Sequence, residues 1–394
     1  MKKSIILYFK HIFFTVIVLI VAGIGILLYL GNSVKFNRNY DVNSNNIHNE
    51  GPYILYQDSA FVTINYVEGT LEHGIQVTKA TADSAFLVDV YYDRDSTFFT
   101  VNVDPFRDFL REKSTYPMQS KIFAVSDIEG GYNSFRKLLI ANHVIDNELN
   151  WTFNDGHLVL AGDFVDRGYF VTQVLYLIYR LEQQAEKAGG KVHYILGNHE
   201  LMNMQGDHRY AADKYSYAAS LLGLKHFELY DNNHTFLGRW MNSKNIVEKI
   251  GDYIFTHGGF HPEYSTSDLN IDSINALTRP RYGEPYYPTS NKKTNDLLFS
   301  YEKSPYWYRG FAQDDLSSST IDSLLNHFGG KHFVIGHTLQ RHVKKLYDGR
   351  VIAIDVQHPQ EEWGSYLPAV HSEGLLIENG KLYRANDEGA RVEL

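Results

Sequence analysis

Five short β-rich runs in this chain each end on a residue able to hold a cation, and each stands close to a glycine. Ile122-Phe123-Ala124-Val125 leads into Ser126-Asp127-Ile128-Glu129-Gly130-Gly131, and Leu158-Val159-Leu160 leads into Gly162-Asp163-Phe164-Val165-Asp166-Arg167-Gly168. Val192-His193-Tyr194-Ile195-Leu196 precedes Gly197-Asn198-His199-Glu200. Tyr253-Ile254-Phe255 precedes Thr256-His257-Gly258-Gly259, and Phe333-Val334-Ile335 precedes Gly336-His337-Thr338. In open α/β sheets ligands bind outside the carboxyl ends of the strands, and glycine lets the backbone turn sharply there. Singly, an Asp after a strand reads as a turn former and a His at a strand end as a structural hydrogen-bonded residue. Five such residues in this order, Asp, Asp, Asn, His and His, make that reading implausible. The chain has no cysteine, which excludes disulfides, thiolate ligands and a cysteine nucleophile. Any metal ligands must therefore be His, Asp, Glu or Asn.

The elements that must position these residues follow from the pattern. From Lys121 onward short strands alternate with helical stretches such as Val171 to Ala188, which runs into Gly189-Gly190, so the organisation is α/β. Upstream, Tyr53-Ile54-Leu55, Phe61 to Ile64, Ile75 to Val77, Phe86 to Val88 and Phe98 to Val101 read as strands of a small antiparallel β module over 51–115. Residues 32–50 are Asn-rich and read as a linker. From Ile12 to Leu30 the chain is almost continuously apolar, and about 20 such residues span a bilayer as a helix. Lys2, Lys3 and Lys10 precede that run while Lys35 and Arg38 follow it, which places the N-terminus on the cytoplasmic side. Residues 1–31 are thus expected to form a cytoplasmic tip and a single-pass membrane anchor. The catalytic domain, 116–394, would then be periplasmic or otherwise extracytoplasmic. A cleaved signal peptide is the competing reading.

The order of the motifs resembles the calcineurin-like metallophosphoesterases. The unbroken Gly-Asp-x-x-Asp-Arg-Gly and Gly-Asn-His-Glu are similar to the phosphoprotein-phosphatase branch. Trp307-Tyr308-Arg309-Gly310 and Gly336-His337-Thr338-Leu339-Gln340 are most similar to the bacterial Shewanella-like phosphatases. The resemblance spans about Lys121 to Val356, and nothing before residue 115 takes part. It implies an αββα sandwich and a dinuclear phosphomonoester hydrolase acting on a phosphoprotein or a small phosphoester. On that pattern Asp163 would bridge two divalent ions, Asp127 would complete one site, and Asn198, His257 and His337 the other. A hydroxide shared by the ions would attack phosphorus directly. His199 would protonate the leaving group with Asp166 orienting it, and Arg167 and Arg309 would grip the phosphate oxygens.

One position departs from the family, which has histidine where this chain has Glu129. Glutamate can still ligate, and the oxygen-richer site should favour Mn²⁺ or Mg²⁺ over Fe and Zn. The segments 201–249 and 262–305, the latter with Tyr282, Tyr286, Tyr287 and Tyr301, are where a cap or substrate rim would be built. Trp240 is expected in the core, and Asp355 ends the last of the short strands near the same edge. The formal net charge of −9 argues against nucleic-acid partners. Two other functions stay open. One is hydrolysis of nucleotide pyrophosphate or diester bonds, as in the diadenosine-tetraphosphatase branch; the other is an inactive membrane-anchored binding protein.

Overall fold

The computed structural model describes residues 10–16, 18, 47–57, 61–70, 74–92, 96–287, 293–313, 316–359 and 371–394. The expected anchor and linker lie for the most part outside these. Among the described residues no helix is long and apolar enough to cross a membrane. From Ile47 onward the chain forms one compact unit.

Its first strands are β1 (Ile47–Tyr56), β2 (Val62–Thr70), β3 (Gly74–Ala82), β4 (Phe86–Tyr92) and β5 (Thr97–Val103). All five runs read as strands are strands, yet they do not make one sheet. β1, β2 and β3 form an antiparallel sheet, while β4 and β5 form a separate hairpin. The short β6 (Thr115–Tyr116) already belongs to the catalytic part, pairing in parallel with β10.

The remaining strands are β7 (Lys121–Val125), β8 (His157–Ala161), β9 (Lys191–Ile195), β10 (Val247–Ile250), β11 (Tyr253–Thr256) and β12 (His332–Ile335). They continue with β13 (Lys344–Leu346), β14 (Val351–Ala353), β15 (Glu373–Glu378), β16 (Lys381–Asn386) and β17 (Arg391–Glu393). They assemble into two six-stranded mixed sheets, β17-β16-β15-β7-β8-β9 and β13-β14-β12-β11-β10-β6. The central strands are apolar on both faces, as burial on both sides demands. Ile122, Ala124, Val159, Ala161, Ile195, Phe255, Val334 and Ile352 meet between the sheets. Their neighbours of opposite parity, Phe123, Val125, Leu158, Leu160, Ile254, Phe333 and Ile335, join the core under the helices. The αββα sandwich follows from this alternation.

The helices are α1 (Tyr132–Ala141), α2 (Val171–Ala188), α3 (Asn198–Met204), α4 (Asp213–Leu221), α5 (Phe236–Asn242), α6 (Ile271–Thr278), α7 (Lys293–Phe299) and α8 (Ser318–Phe328). α2 occupies the span its pattern suggested. It buries Val174, Leu177, Ile178, Leu181 and Ala185, the i, i+3, i+4 stripe of a helix lying on a sheet. Gly189 closes it in the left-handed region at φ +81°, where a side chain would be strained.

The β module is fastened to this body through polar contacts. Glu50, only 2% exposed, pairs with Lys214 of α4 at 2.7 Å and accepts from Thr172 Oγ1 of α2 at 2.5 Å. Tyr176 of α2 donates to the Pro52 carbonyl at 2.9 Å, and Gln173 donates to the Tyr91 carbonyl at 2.8 Å. Between the sheets, at the strand ends opposite the five motifs, His193 lies 2.7 Å from His157 and 2.5 Å from Glu248.

Burial, then His193 and Lys191, push His157 down to about 3. Burial likewise pushes His226, next to His208, and His358 down to about 4. Their folded pKa values lie below the ordinary value of 6.5, so below that pH the unfolded chain binds more protons than the folded one. Stability that is full above pH 6.5 should therefore fall toward pH 5, by about 1.4 kcal/mol per pH unit for each such histidine. Urea unfolding at a series of pH values measures this. His157→Asn should lower the slope by about one proton's worth, and a parent and variant with the same slope between pH 6.5 and 5 would contradict it.

Candidate metal centre and active site

The residues that follow β7, β8, β9, β11 and β12 meet at one edge of the sandwich, where the backbone itself is unusual. Asp127, Glu129, Asp163, Asp166, Arg167 and His337 all have positive φ, between 50° and 70°. Non-glycine residues adopt that region at a cost, and such outliers gather where surrounding structure over-determines them. Here the over-determination is visible. Asp127 N donates to Gly162 O at 3.0 Å and Glu129 N to Asp163 O at 3.0 Å. The buried carboxylate of Glu200 accepts from the backbone N–H groups of Asp163, Phe164 and Gly197 at 2.7 to 2.9 Å. It also accepts from Tyr194 OH at 3.0 Å. Gly162, at φ +91°, must be glycine, because a Cβ there would lie 2.6 Å from His257 Nδ1.

Asp163, His257 and His337 bring three ligand atoms within 4.8 Å of one another, all buried. His257 Nε2 stands 2.9 Å from Asp163 Oδ2 and 3.0 Å from Asn198 Oδ1. Its Nδ1 donates to the Ala161 carbonyl at 2.8 Å, leaving Nε2 to face the cluster. His337 Nε2 is buried and has no hydrogen-bond partner among the described residues. Burial, then His257 and Arg309, hold His337 well below its ordinary pKa, so it offers a lone pair. Burial opposes a charge on His257, yet Asp163 and Asp127 overcome it and push the imidazole up to about 10. The cluster is one that demands a positive charge. The donors present, carboxylate and amide oxygens with imidazole nitrogens, fit a divalent ion, which would take the place of the proton on His257.

A second trio, Glu129, Asp163 and His199, also lies within 4.8 Å and is buried. Asp127 belongs to neither trio. It is turned onto the His337 backbone N–H at 3.1 Å, with burial, partly offset by His257, raising its carboxyl. Glu129 forms an ion pair with Arg167, a pairing invisible in the sequence. The Arg167 guanidinium also lies 5.8 Å from the Tyr210 ring. Arg309 reaches the same edge, donating to the His337 carbonyl at 2.7 Å and to Thr338 Oγ1 at 3.2 Å.

His199 Nδ1 and Asp166 Oδ2 are 2.6 Å apart, and His199 Nε2 is 3.7 Å from Asp163 Oδ2. Burial disfavours the imidazolium, but Asp163 and Asp166 outweigh it and raise the His199 pKa. The arrangement is that of an imidazole oriented by one carboxylate through Nδ1. Around it stand aromatic rings. Tyr210 is 5.2 Å from the His199 ring, Trp307 is 5.5 Å from the His337 ring, and Tyr301 is 4.7 Å from Trp307. Trp240 is in the core, donating to Glu182 at 2.6 Å. Asp355 is 6% exposed, and burial, then Asp127, raise its carboxyl well above the usual range.

The sequence pattern alone missed three contributors: Glu200 as the tie of two loops, Tyr210 as a wall, and Asn203, whose amide donates to Asp166 Oδ1 at 2.7 Å. Glu200 carried a signal, since it sits three residues after Gly197 where a glutamate can reach back to the helix start.

Residues 120–341 match the family described as Calcineurin-like phosphoesterase. An uncharacterised protein of Schizosaccharomyces pombe is 29% identical over 264 residues, covering 64% of this chain and 76% of its own. Shewanella-like protein phosphatase 2 of Arabidopsis thaliana is 23% identical over 329 residues, or 68% of this chain and 79% of that one. Among solved structures, the cold-active protein-tyrosine phosphatase of a psychrophilic Shewanella is similar with a TM-score of 0.72 at 31% identity. That match covers 88% of this chain and 99% of the other.

Removing the Glu200 carboxylate strands three buried backbone donors, each costing about 1–3 kcal/mol when unsatisfied. Glu200→Ala should therefore lower the unfolding free energy by more than about 3 kcal/mol. A loss under about 1 kcal/mol in urea titration would remove Glu200 from its role as the tie.

Proposed function

Because this chain belongs to the calcineurin-like phosphoesterases and is a metal-dependent phosphatase, we propose that it hydrolyses phosphomonoesters of phosphoproteins or small molecules, with aryl phosphates such as phosphotyrosine preferred. The observation that carries this reading is the aromatic wall at the site. Tyr210 beside His199 and the Trp307–Tyr301 pair beside His337 offer ring faces and edges to a phenyl ring. The Shewanella relative is named a protein-tyrosine phosphatase, which agrees.

In this reading Asp163, Asn198, His257 and His337 would hold one divalent ion, and Asp127, Glu129 and Asp163 the other. The ions, when bound, would supply Lewis acidity that activates a water and offsets charge on the phosphoryl oxygens. Glu129 makes the first site richer in oxygen than a histidine would, which favours Mn²⁺, with Mg²⁺ next and Fe or Zn less suited. Arg167 and Arg309 present guanidinium groups at the mouth of the site for the phosphate oxygens. His199 has its Nδ1 committed to Asp166, so Nε2 is the nitrogen that hands a proton to the departing oxygen.

A metal-by-substrate matrix tests this. With Mn²⁺ the protein should release phosphate from p-nitrophenyl phosphate and phosphotyrosine, and not cleave bis(p-nitrophenyl) phosphate. Asp163→Asn should abolish turnover, and Glu129→Ala should leave one tightly bound Mn²⁺ per chain where the parent binds two. Preference for the diester, or unchanged Mn²⁺ binding in Glu129→Ala, would count against the reading.

We also propose that residues 12–30 anchor the protein in a membrane with the catalytic domain on the extracytoplasmic side. The support is the length of the apolar run and the lysines before it. The full chain should sediment with membranes and resist carbonate extraction, and protease added to sealed, right-side-out cells should cut the catalytic domain. Recovery in the soluble fraction would sink the anchor.

A further inference from the structure

Asp166 has two carboxylate oxygens, and only one meets His199. The other accepts from Asn203 Nδ2 at 2.7 Å. The same amide nitrogen donates to the His199 carbonyl at 2.9 Å, so both of its hydrogens are used. The amide cannot be turned over, because its oxygen would then face a carboxylate and a carbonyl, two acceptors. Asn203 Oδ1 is therefore an acceptor, and its donor is His226 Nε2 at 2.7 Å. The opposite ring nitrogen, Nδ1, stands 3.1 Å from Ser216 Oγ. Every member but Ser216 is buried: Asp166 is 1% exposed, Asn203 0%, His199 4% and His226 6%.

The chain of contacts crosses structural borders. His199 and Asn203 are one turn apart on α3, Asp166 lies on the loop after β8, Ser216 on α4, and His226 opens a 3₁₀ turn at His226–Leu229. The last two belong to the insertion over 201–249, which the metal ligands do not involve. A carboxylate held by one hydrogen bond can rotate about its χ2 bond; one held at both oxygens cannot. A proton donor has to stay within a few tenths of an ångström and 10–20° of its working geometry.

We propose that Asn203 and His226 are positioning residues for the proton donor: His226 fixes the Asn203 amide, Asn203 fixes the Asp166 carboxylate, and Asp166 holds His199 with Nε2 aimed at the leaving oxygen. The inference rests on the reading of His199 as the group that protonates the leaving oxygen. Neither residue touches the substrate or the ions, and their effect is confined to the step in which the P–O bond to the leaving group breaks. There the attacking water oxygen forms its bond to phosphorus while the ester oxygen takes the breaking bond's electron pair and the Nε2 proton, leaving as an alcohol or phenol.

The step gives a readout that a merely structural role would not move. A nitrophenolate leaves without much help, whereas a plain phenolate, with a conjugate acid of pKa about 10, needs the proton. With Mn²⁺ present, kcat/KM is measured for p-nitrophenyl phosphate and for phenyl phosphate in the parent and in His199→Asn, Asn203→Ala, His226→Leu and His226→Gln. General acid catalysis contributes about 10²- to 10⁴-fold, so His199→Asn should lose about that on phenyl phosphate and far less on the nitrophenyl ester. Asn203→Ala and His226→Leu should lose about 10- to 50-fold on phenyl phosphate and no more than about 3-fold on the nitrophenyl ester. His226→Gln, whose amide can donate to Asn203 in place of Nε2, should recover most of that loss. Thermal unfolding and Mn²⁺ stoichiometry are recorded for each protein; His226→Leu, two contacts away from His199, keeps the test open if Asn203→Ala fails to fold. Equal losses on the two esters, or no recovery in His226→Gln, would overturn the positioning role while the His199→Asn result still stood. If His199→Asn itself lost equally on both esters, the proton-donor reading would fall and the inference with it.

Discussion

Three backbone N–H groups and one phenol converge on the carboxylate of Glu200, and the geometry of the site depends on that convergence. The loop after β8 and the loop after β9 come from chain segments some thirty-five residues apart, yet Glu200 binds both. Without it, nothing in the covalent structure would hold Asp163 at φ +60° beside Asn198 and His257. Left-handed backbone at Asp127, Glu129, Asp163, Asp166, Arg167 and His337 costs of order 1 kcal/mol or more at each residue. That cost is offset by the loop-to-loop hydrogen bonds and by the packing of two six-stranded sheets beneath.

The second organising constraint is charge. Asp127, Glu129, Asp163 and Asp355 stand at one edge, buried or nearly so, and carboxylates that share a water-poor space must be met by cations or take up protons. The chain supplies some compensation itself. Arg167 pairs with Glu129, His257 with Asp163, and Asp166 lies against His199. The unpartnered Nε2 of His337 leaves a donor at this edge that fits a divalent ion. Arg167 is thereby placed between two attractions, the Glu129 carboxylate and the phosphate that it is proposed to grip.

The β module and the insertion over 201–249 are tied to the catalytic body through polar side chains. Glu50 reaches α2 and α4, Tyr176 and Gln173 reach the module backbone, and His226 reaches Asn203. Buried polar contacts of this kind add little net stability but specify a single arrangement when every partner is satisfied.

Much of this protein was determined locally. A strand period of two, a glycine after each strand and a ligating residue beside it are properties of a few consecutive residues, so Asp127, Asp163, Asn198, His257 and His337 could be assigned to one edge from sequence. The same holds for the helix Val171–Ala188 with Gly189 at its end, and for the five strands of the β module. Pairing between distant segments was not legible, because spacing along the chain says nothing about which side chains meet across it. Only the tertiary structure split the module into a sheet and a hairpin. It alone turned Asp127 onto the His337 backbone, set Glu129 against Arg167, and drew Asn203 and His226 behind Asp166. Residue types at strand ends follow from local backbone geometry; who neutralises and who orients them follows from packing over separations of about 20 to 210 residues.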